Sequence, residues 1–265
     1  YSTTDDNVNW ESTNVVPVWT TSNYASYTTP IYDNGFVYSG ARSGYLYKFD
    51  AMSGINIWAS RTTNSNPPLA ITVSGNSVYF GTEEAGGGGA GKSSLWCIST
   101  TTGISNWSYL VGDSVRTTPV LNDGYVYFGS DNDYVYCLNA VTGAFVWKYL
   151  TEGDVVGNPV IFDDDLIVSG GDNIYRLDGV TGAVIWTCSE GSIVGNNLTS
   201  NLVLYGNNVF TTVEYTSYIV SVDAISGDLV WEVVEAGAYG SPKVTSIGVY
   251  IGTYAGWIKC LNLVD

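Results

Sequence analysis

Apolar and polar positions alternate with a period of two in short runs along this chain. Gly35 to Gly40 reads Gly-Phe-Val-Tyr-Ser-Gly, Tyr45 to Asp50 reads Tyr-Leu-Tyr-Lys-Phe-Asp, and Tyr134 to Asn139 reads Tyr-Val-Tyr-Cys-Leu-Asn. Asn173 to Asp178 and Tyr218 to Asp223 follow the same rule. Gly, Asn and Asp separate the runs. This pattern predicts β-strands with one buried face, joined by tight turns.

The runs recur at a fixed period. Trp58, Trp107, Trp147, Trp186 and Trp231 each lie four residues after a glycine: Gly54, Gly103, Gly143, Gly182 and Gly227. A Ser or Thr precedes each glycine. Upstream of each Ser/Thr-Gly lie two alternating strands, and before them a short strand opened by proline, as at Pro30, Pro119, Pro159 and Pro242. The glycine supplies the positive φ of a tight turn. The Trp offers a large apolar face to a neighbouring sheet. Proline belongs at a strand's first residue, where a missing N–H costs least.

Spacings between these tryptophans are 49, 40, 39 and 45 residues. Four strands per roughly 40 residues, radially repeated, predict a β-propeller. The long unit holds Gly86 to Gly89, which reads as a hairpin insertion. The last unit stops before a fourth strand. Val15 to Trp19 supplies one, with Trp19 lying 39 residues before Trp58. The expected fold is therefore all-β: a six-bladed propeller with four-stranded blades, its ring closed by Val15–Trp19 completing the last blade. Residues 15–265 form that single domain, and 1–14 form an N-terminal arm containing Trp10. Closure removes exposed sheet edges.

The D-x-x-T-G-x-x-x-W pattern, preceded by V-Y-x-G and x-Y-x-Y-x-L-D/N, resembles the quinoprotein (PQQ-type) repeat family. The resemblance covers Val15 to Asn262. It implies the propeller fold. Enzymes of that family hold a quinone between a Trp and a disulfide of adjacent cysteines, beside calcium bound by Glu and Asn, with an Asp base. Non-enzymatic relatives are scaffolds in outer-membrane protein assembly. Here the cysteines, Cys97, Cys137, Cys188 and Cys260, are far apart, and no motif matches the calcium ligands or the base. The expectation is a non-enzymatic branch with no PQQ.

Composition narrows the function. The formal net charge is −16 with nine Lys and Arg, which argues against nucleic acid and anionic membranes. No apolar run is long enough to span a bilayer. Few Lys, many Ser, Thr and Tyr, and two sequons, at Asn106 and Asn197, fit an exported, glycosylated protein of the cell surface. The absence of an initiator Met suggests a mature or trimmed chain.

Candidate chemistry is sparse. No His is present, which removes His-based triads and zinc sites. Four Cys allow two disulfides in three pairings; buried free thiols are the equal alternative. Cys97, Cys137 and Cys260 share one repeat position with Lys48, Arg176 and Ser221, which marks a packing slot. Asp131-Asn132-Asp133 and Asp163-Asp164-Asp165 read as hairpin turns. Connections from fourth to first strands hold Asp113, Glu152, Asp154, Glu190 and Glu235, with Arg61 and Arg116 among them. They are the candidate ligand or cation face, with Ca²⁺ the ion such a ring would suit and plain solubility the bland alternative. Tyr24, Tyr27, Tyr109, Tyr149, Tyr215 and Tyr239 are candidate surface aromatics for sugars or protein partners.

Three readings follow. The first is an extracellular structural or interaction protein that assembles with copies of itself or other surface proteins, as in a filament, with Trp10 on the assembly arm. The second is a monomeric module binding glycans or a protein. The third, an enzyme, has no nameable acid–base pair, nucleophile or cofactor clamp.

Overall fold

A computed structural model describes residues 18–20, 28–62, 67–83, 93–189, 198, 200–213, 218–235, 238–253 and 255–262, apart from the Tyr239 side chain. Among them every regular element is a strand. Blade 1 holds β1 (Ile31–Asp33), β2 (Phe36–Ala41), β3 (Tyr45–Asp50) and β4 (Asn56–Arg61). Blade 2 holds β5 (Pro68–Ser74), β6 (Ser77–Thr82), β7 (Ser94–Ser99) and β8 (Ser105–Leu110). Blade 3 holds β9 (Val120–Asn122), β10 (Tyr125–Gly129), β11 (Tyr134–Asn139) and β12 (Phe145–Leu150). Blade 4 holds β13 (Val160–Phe162), β14 (Asp165–Gly170), β15 (Asn173–Leu177) and β16 (Val184–Cys188). Blade 5 holds β17 (Val203–Tyr205), β18 (Asn208–Val213), β19 (Tyr218–Asp223) and β20 (Leu229–Val234). Blade 6 holds β21 (Ala238–Val244), β22 (Gly248–Thr253) and β23 (Ile258–Asn262).

Each blade is an antiparallel sheet in chain order, five four-stranded and the sixth three-stranded among the described residues. This is the six-bladed β-propeller that the repeat predicts. First strands of blades 1 and 2, 3 and 4, 4 and 5, and 5 and 6 are neighbours, which sets the first strands around the central channel. Proline sits one residue before the strand in β1, β9 and β13, rather than opening it; Pro242 lies inside β21, at its register shift.

The turn before each fourth strand explains the Ser/Thr-Gly signature. Asp50 Oδ1 accepts the Ser53 amide at 2.8 Å and its hydroxyl at 2.7 Å, and Asn139 and Asp178 do the same for Thr142 and Thr181. Those bonds hold the Asp50 and Asp178 carboxyls below the usual range. The turn glycines have φ of +70, +69, +70, +72 and +82°. A second constraint is packing. A Cβ on Gly103, Gly143, Gly182 or Gly227 would lie 2.6 to 2.8 Å from the indole of Trp58, Trp107, Trp147 or Trp186, the tryptophan of the preceding blade. Only glycine lets that ring lie flat on the turn.

The same joint carries a paired hydrogen bond. Each of these indoles donates to one turn carbonyl of the next blade: Trp58 to Thr100, Trp107 to Ala140, Trp147 to Gly179 and Trp186 to Ala224, at 3.0 to 3.1 Å. A second donor reaches the same oxygen. In blades 1 and 4 it is the cation at the shared slot: Lys48 to Thr100 at 2.8 Å and Arg176 to Ala224 at 2.9 Å. In blades 2 and 3 the slot holds Cys97 or Cys137, and the Tyr directly across the sheet donates instead. Tyr79 reaches Ala140 at 3.1 Å and Tyr127 reaches Gly179 at 3.0 Å. Burial pushes the Tyr79 hydroxyl up to about 12 and the Cys137 thiol up to about 12, so both stay protonated at neutral pH.

Trp19 repeats this geometry at the start of the chain. Its indole covers Gly54 of blade 1 and its Nε1 donates to the Ala51 carbonyl at 2.9 Å. It therefore occupies, on blade 1, the place of a sixth blade's tryptophan. Val15 to Pro17 and the 1–14 arm, with Trp10, lie outside the described residues.

Candidate functional site

Strands alternate in direction, so connections leaving second and fourth strands emerge at one mouth of the channel. The structure brings two of the candidate acids together there and adds three that the sequence reading passed over. Asp113 and Asp154 lie in successive inter-blade connections. Between them stands the β10–β11 hairpin with Asp131 and Asp133. Backbone bonds lock the hairpin in place, from Asp131 N–H to the Ser114 carbonyl at 3.0 Å and from Val155 N–H to the Ser130 carbonyl at 3.2 Å. Asp131-Asn132-Asp133 is a turn, as expected, with Asp133 at φ +66°. It also supplies charge to the mouth. The available signal was topological: a hairpin between second and third strands opens on the same side as the inter-blade loops.

Among the described residues one guanidinium pairs with members of this group. Arg116 Nε donates to Asp131 Oδ2 at 2.7 Å, and Nη1 donates to Glu83 Oε1 at 2.8 Å. Burial opposes the Arg116 charge, but Asp131 and Glu83 more than offset it and raise the guanidinium above its ordinary value. The Asp131 carboxyl is raised, first by burial, despite the Arg116 bonds. Its Oδ1 is buried without a hydrogen-bond partner. Asp154 is raised by burial and then by the charges of Asp131, Asp133 and Asp113. A cavity of about 430 Å³ opens beside Arg116, lined by Thr28, Thr29, Ile31, Leu69, Ile71 and Thr118.

The other candidate acids stand apart from this group. Glu152 accepts from Asn173 Nδ2 at 2.7 Å, and Glu235 pairs with Lys259. Glu190 lies outside the described residues. Of the candidate acidic face, Glu152 and Glu235 lie in the expected connections but are held in local pairs, while Asp113 and Asp154 group with Asp131 and Asp133. Arg61 lies over the Tyr45 ring at 5.6 Å.

Two further expectations change. Tyr109 and Tyr149 belong to fourth strands and are only half-exposed. Tyr109 packs on Tyr136 at 6.2 Å, and Tyr149 meets Tyr175 edge-on at 5.4 Å. They serve blade packing. Tyr24, Tyr27, Tyr215 and the Tyr239 side chain lie outside the described residues. Asn106 is exposed on β8, and its amide donates to Cys97 Sγ at 3.6 Å. Asn197 is outside the described residues.

Sequence reading also missed a polar girdle in the channel. Thr118 N–H donates to Asn158 Oδ1 at 2.6 Å, Asn158 N–H to Asn201 Oδ1 at 2.8 Å, and Asn201 N–H to Ser241 Oγ at 3.1 Å. The signal was the polar residue before proline in Thr118-Pro119, Asn158-Pro159 and Ser241-Pro242.

The residues do not fit the quinone site that the repeat family implies. Cys97, Cys137, Cys188 and Cys260 lie in four different blades and are free thiols, the first three buried. No group of three or more His, Cys, Asp or Glu among the described residues is arranged to hold a metal ion. We derive no chemistry through a quinone or its calcium.

A family model described as "Outer membrane protein assembly factor BamB" matches residues 110–256, more than half of the chain. The chain belongs to this family. The BamB of Yersinia pestis is 26% identical over 131 residues, which are 43% of this chain and 31% of that protein. The chain thus spans under a third of that curated relative's length. Among solved structures, BamB from Moraxella catarrhalis superimposes with a TM-score of 0.71 at 21% identity, covering 86% of this chain and 68% of that one. A europium-containing methanol dehydrogenase gives 0.76 at 14% identity, covering 89% and 66%. The designed Ika8 protein gives 0.71 at 17%, covering 89% and 70%. At these identities the likeness establishes the shared propeller. BamB-family membership and the quinoprotein resemblance agree on fold, and the scattered cysteines separate this chain from the quinone-binding arrangement.

Proposed function

We propose that this BamB-family propeller is a non-catalytic protein-interaction scaffold of the cell envelope that takes a cationic segment of a partner at the mouth between blades 2 and 4. The observation that carries this is the grouping of Asp113, Asp131, Asp133 and Asp154, with Arg116 bridging Asp131 to Glu83 as the one cation paired with these acids among the described residues. An incoming Lys or Arg relieves the carboxylate repulsion that raises Asp154. A second copy, itself at −16, does not supply that charge. The partner proposed is therefore a different protein, whose cationic segment complements these carboxylates. An exported chain displayed at the cell surface is the finer reading; low Lys content and the two sequons support it.

The test is fluorescence anisotropy with a Lys/Arg-rich peptide and an acidic control peptide. Only the basic peptide should bind, more weakly as salt rises. Asp154→Asn should weaken it roughly fivefold, about 1 kcal/mol. Lowering the pH should weaken it too, because Asp131 and Asp154, with raised pKa values, take up protons before ordinary carboxylates do. Unchanged affinity in Asp154→Asn would sink the proposed site.

A further inference from the structure

Blade 2 departs from its neighbours where its first strand faces the channel. Two residues before the first-strand partners of Tyr38, Tyr79, Tyr127, Ile167, Phe210 and Tyr250 stand Thr29, Ala70, Thr118, Asn158, Asn201 and Ser241. Blade 2 alone has an apolar residue there. In blades 4, 5 and 6 that side chain accepts an N–H of the preceding blade, which builds the polar girdle. Ala70 has no oxygen to offer. Its flanks are changed as well: blades 1 and 3 read Thr-Thr-Pro at 28–30 and 117–119, whereas blade 2 reads Leu69-Ala70-Ile71. Thr28 and Thr117 each accept a second-strand glycine N–H, from Gly40 and Gly129, both at 2.8 Å. Leu69 cannot do so. The ladder between β5 and β6 also skips from Pro68 to Ile71, a bulge of the kind that re-aims side chains. The cavity of about 430 Å³ opens at this gap, between Thr29, Ala70 and Thr118, and Ile31, Leu69 and Ile71 give it apolar walls.

We infer that this cavity takes one apolar side chain, of the size of leucine, from the partner's cationic segment, an inference that rests on the acidic mouth being the partner site. Charge complementarity selects this occupant. Arg116 borders the cavity and holds Asp131 at 2.7 Å and Glu83 at 2.8 Å, so two carboxylates stand at its margin. A purely apolar ligand gains nothing from them. A Lys or Arg beside the apolar residue pairs with them while the apolar side chain leaves water. The margin is built into the fold. Val115 and Thr117, on either side of Arg116, are buried, and Val115 N–H donates to the Thr82 carbonyl at 3.1 Å. An apolar pocket with fixed polar groups at its border is where an anchor residue concentrates affinity.

The experiment measures the anisotropy of two Lys/Arg-rich peptides that differ in one central residue, Leu or Ser. Each is titrated with the native chain, Ala70→Leu and Ala70→Asn. Ala70→Leu fills the cavity. Ala70→Asn gives blade 2 the residue that blades 4 and 5 carry at this position, and serves should Ala70→Leu not fold. The Leu peptide should bind the native chain about tenfold more tightly than the Ser peptide. In both variants the difference should fall to within about twofold, because the apolar space is gone. The Ser peptide should keep its affinity and salt dependence throughout. Equal binding of the two peptides to the native chain overturns the pocket and leaves the acidic site standing. A Leu advantage that survives in both variants also overturns it, because the apolar contact then lies elsewhere. Binding of neither peptide removes the acidic partner site, and this inference with it.

Discussion

The joints leaving blades 1 to 4 differ in kind from the joint leaving blade 5. In the first four, the tryptophan and a second donor converge on one turn carbonyl, and the slot residue and its cross-strand neighbour vary together to keep that donor in place. Lys48 and Arg176 do it from the third strand; Tyr79 and Tyr127 do it from the second where the slot is Cys. Blade 5 carries Phe210 and Ser221 at the paired positions, and neither donates across the joint. Ser221 Oγ is buried with no partner. Trp231 packs on Phe210 at 5.9 Å and borders a cavity of about 300 Å³ with Leu261 and Asn262. A repeat position thus has no fixed residue. What repeats is the requirement to satisfy a carbonyl of the following blade; the equivalent carbonyl of blade 6 lies outside the described residues.

Paired substitutions probe that contrast, taken in order of effect. Gly129→Ala places a methyl 2.1 Å from Val155 Cγ1 and should cost about 3 kcal/mol in urea unfolding, by overpacking a joint that cannot yield. The equivalent Gly252→Ala, in a chain lacking residues 1–14, should stay within about 0.5 kcal/mol. A comparable loss at both positions would mean that blade 6 is packed like the rest. Tyr127→Phe removes one of the two donors to Gly179 and should cost about 1 kcal/mol. Combined with Trp147→Phe its effect should be non-additive, because both donors share that oxygen. Strict additivity would show that the two bonds act independently.

The fold was legible because its signals are local. Alternation in Tyr134 to Asn139, the turn at Gly143 and the Trp147 that follows are each readable within a dozen residues. The reason for the turn glycine was only half legible: positive φ can be read from Thr-Gly, but the indole of Trp107 against Gly143 comes from the blade before. The mouth was legible in the same partial way. Asp113 and Asp154 stood out as loop acids, whereas Glu83, Asp131 and Asp133 join them through curvature of the ring. Glu152 and Glu235 lie in the expected connections, but their partners, Asn173 and Lys259, are 21 and 24 residues away and could not be read locally. The stretch Ile258 to Asn262 alternates as well as any other third strand. Its exposure could not be read there, since burial on a blade face depends on the neighbouring sheet.

Native-state hydrogen exchange of the full chain tests the central claim, that satisfied joints make blades 1 to 4 the rigid part of the ring and blade 6 its loose end. Amides paired between β10 and β11 should exchange only through global unfolding, while those paired between β22 and β23 should exchange through a local opening at least about 2 kcal/mol cheaper. Equal protection in the two sheets would contradict the account.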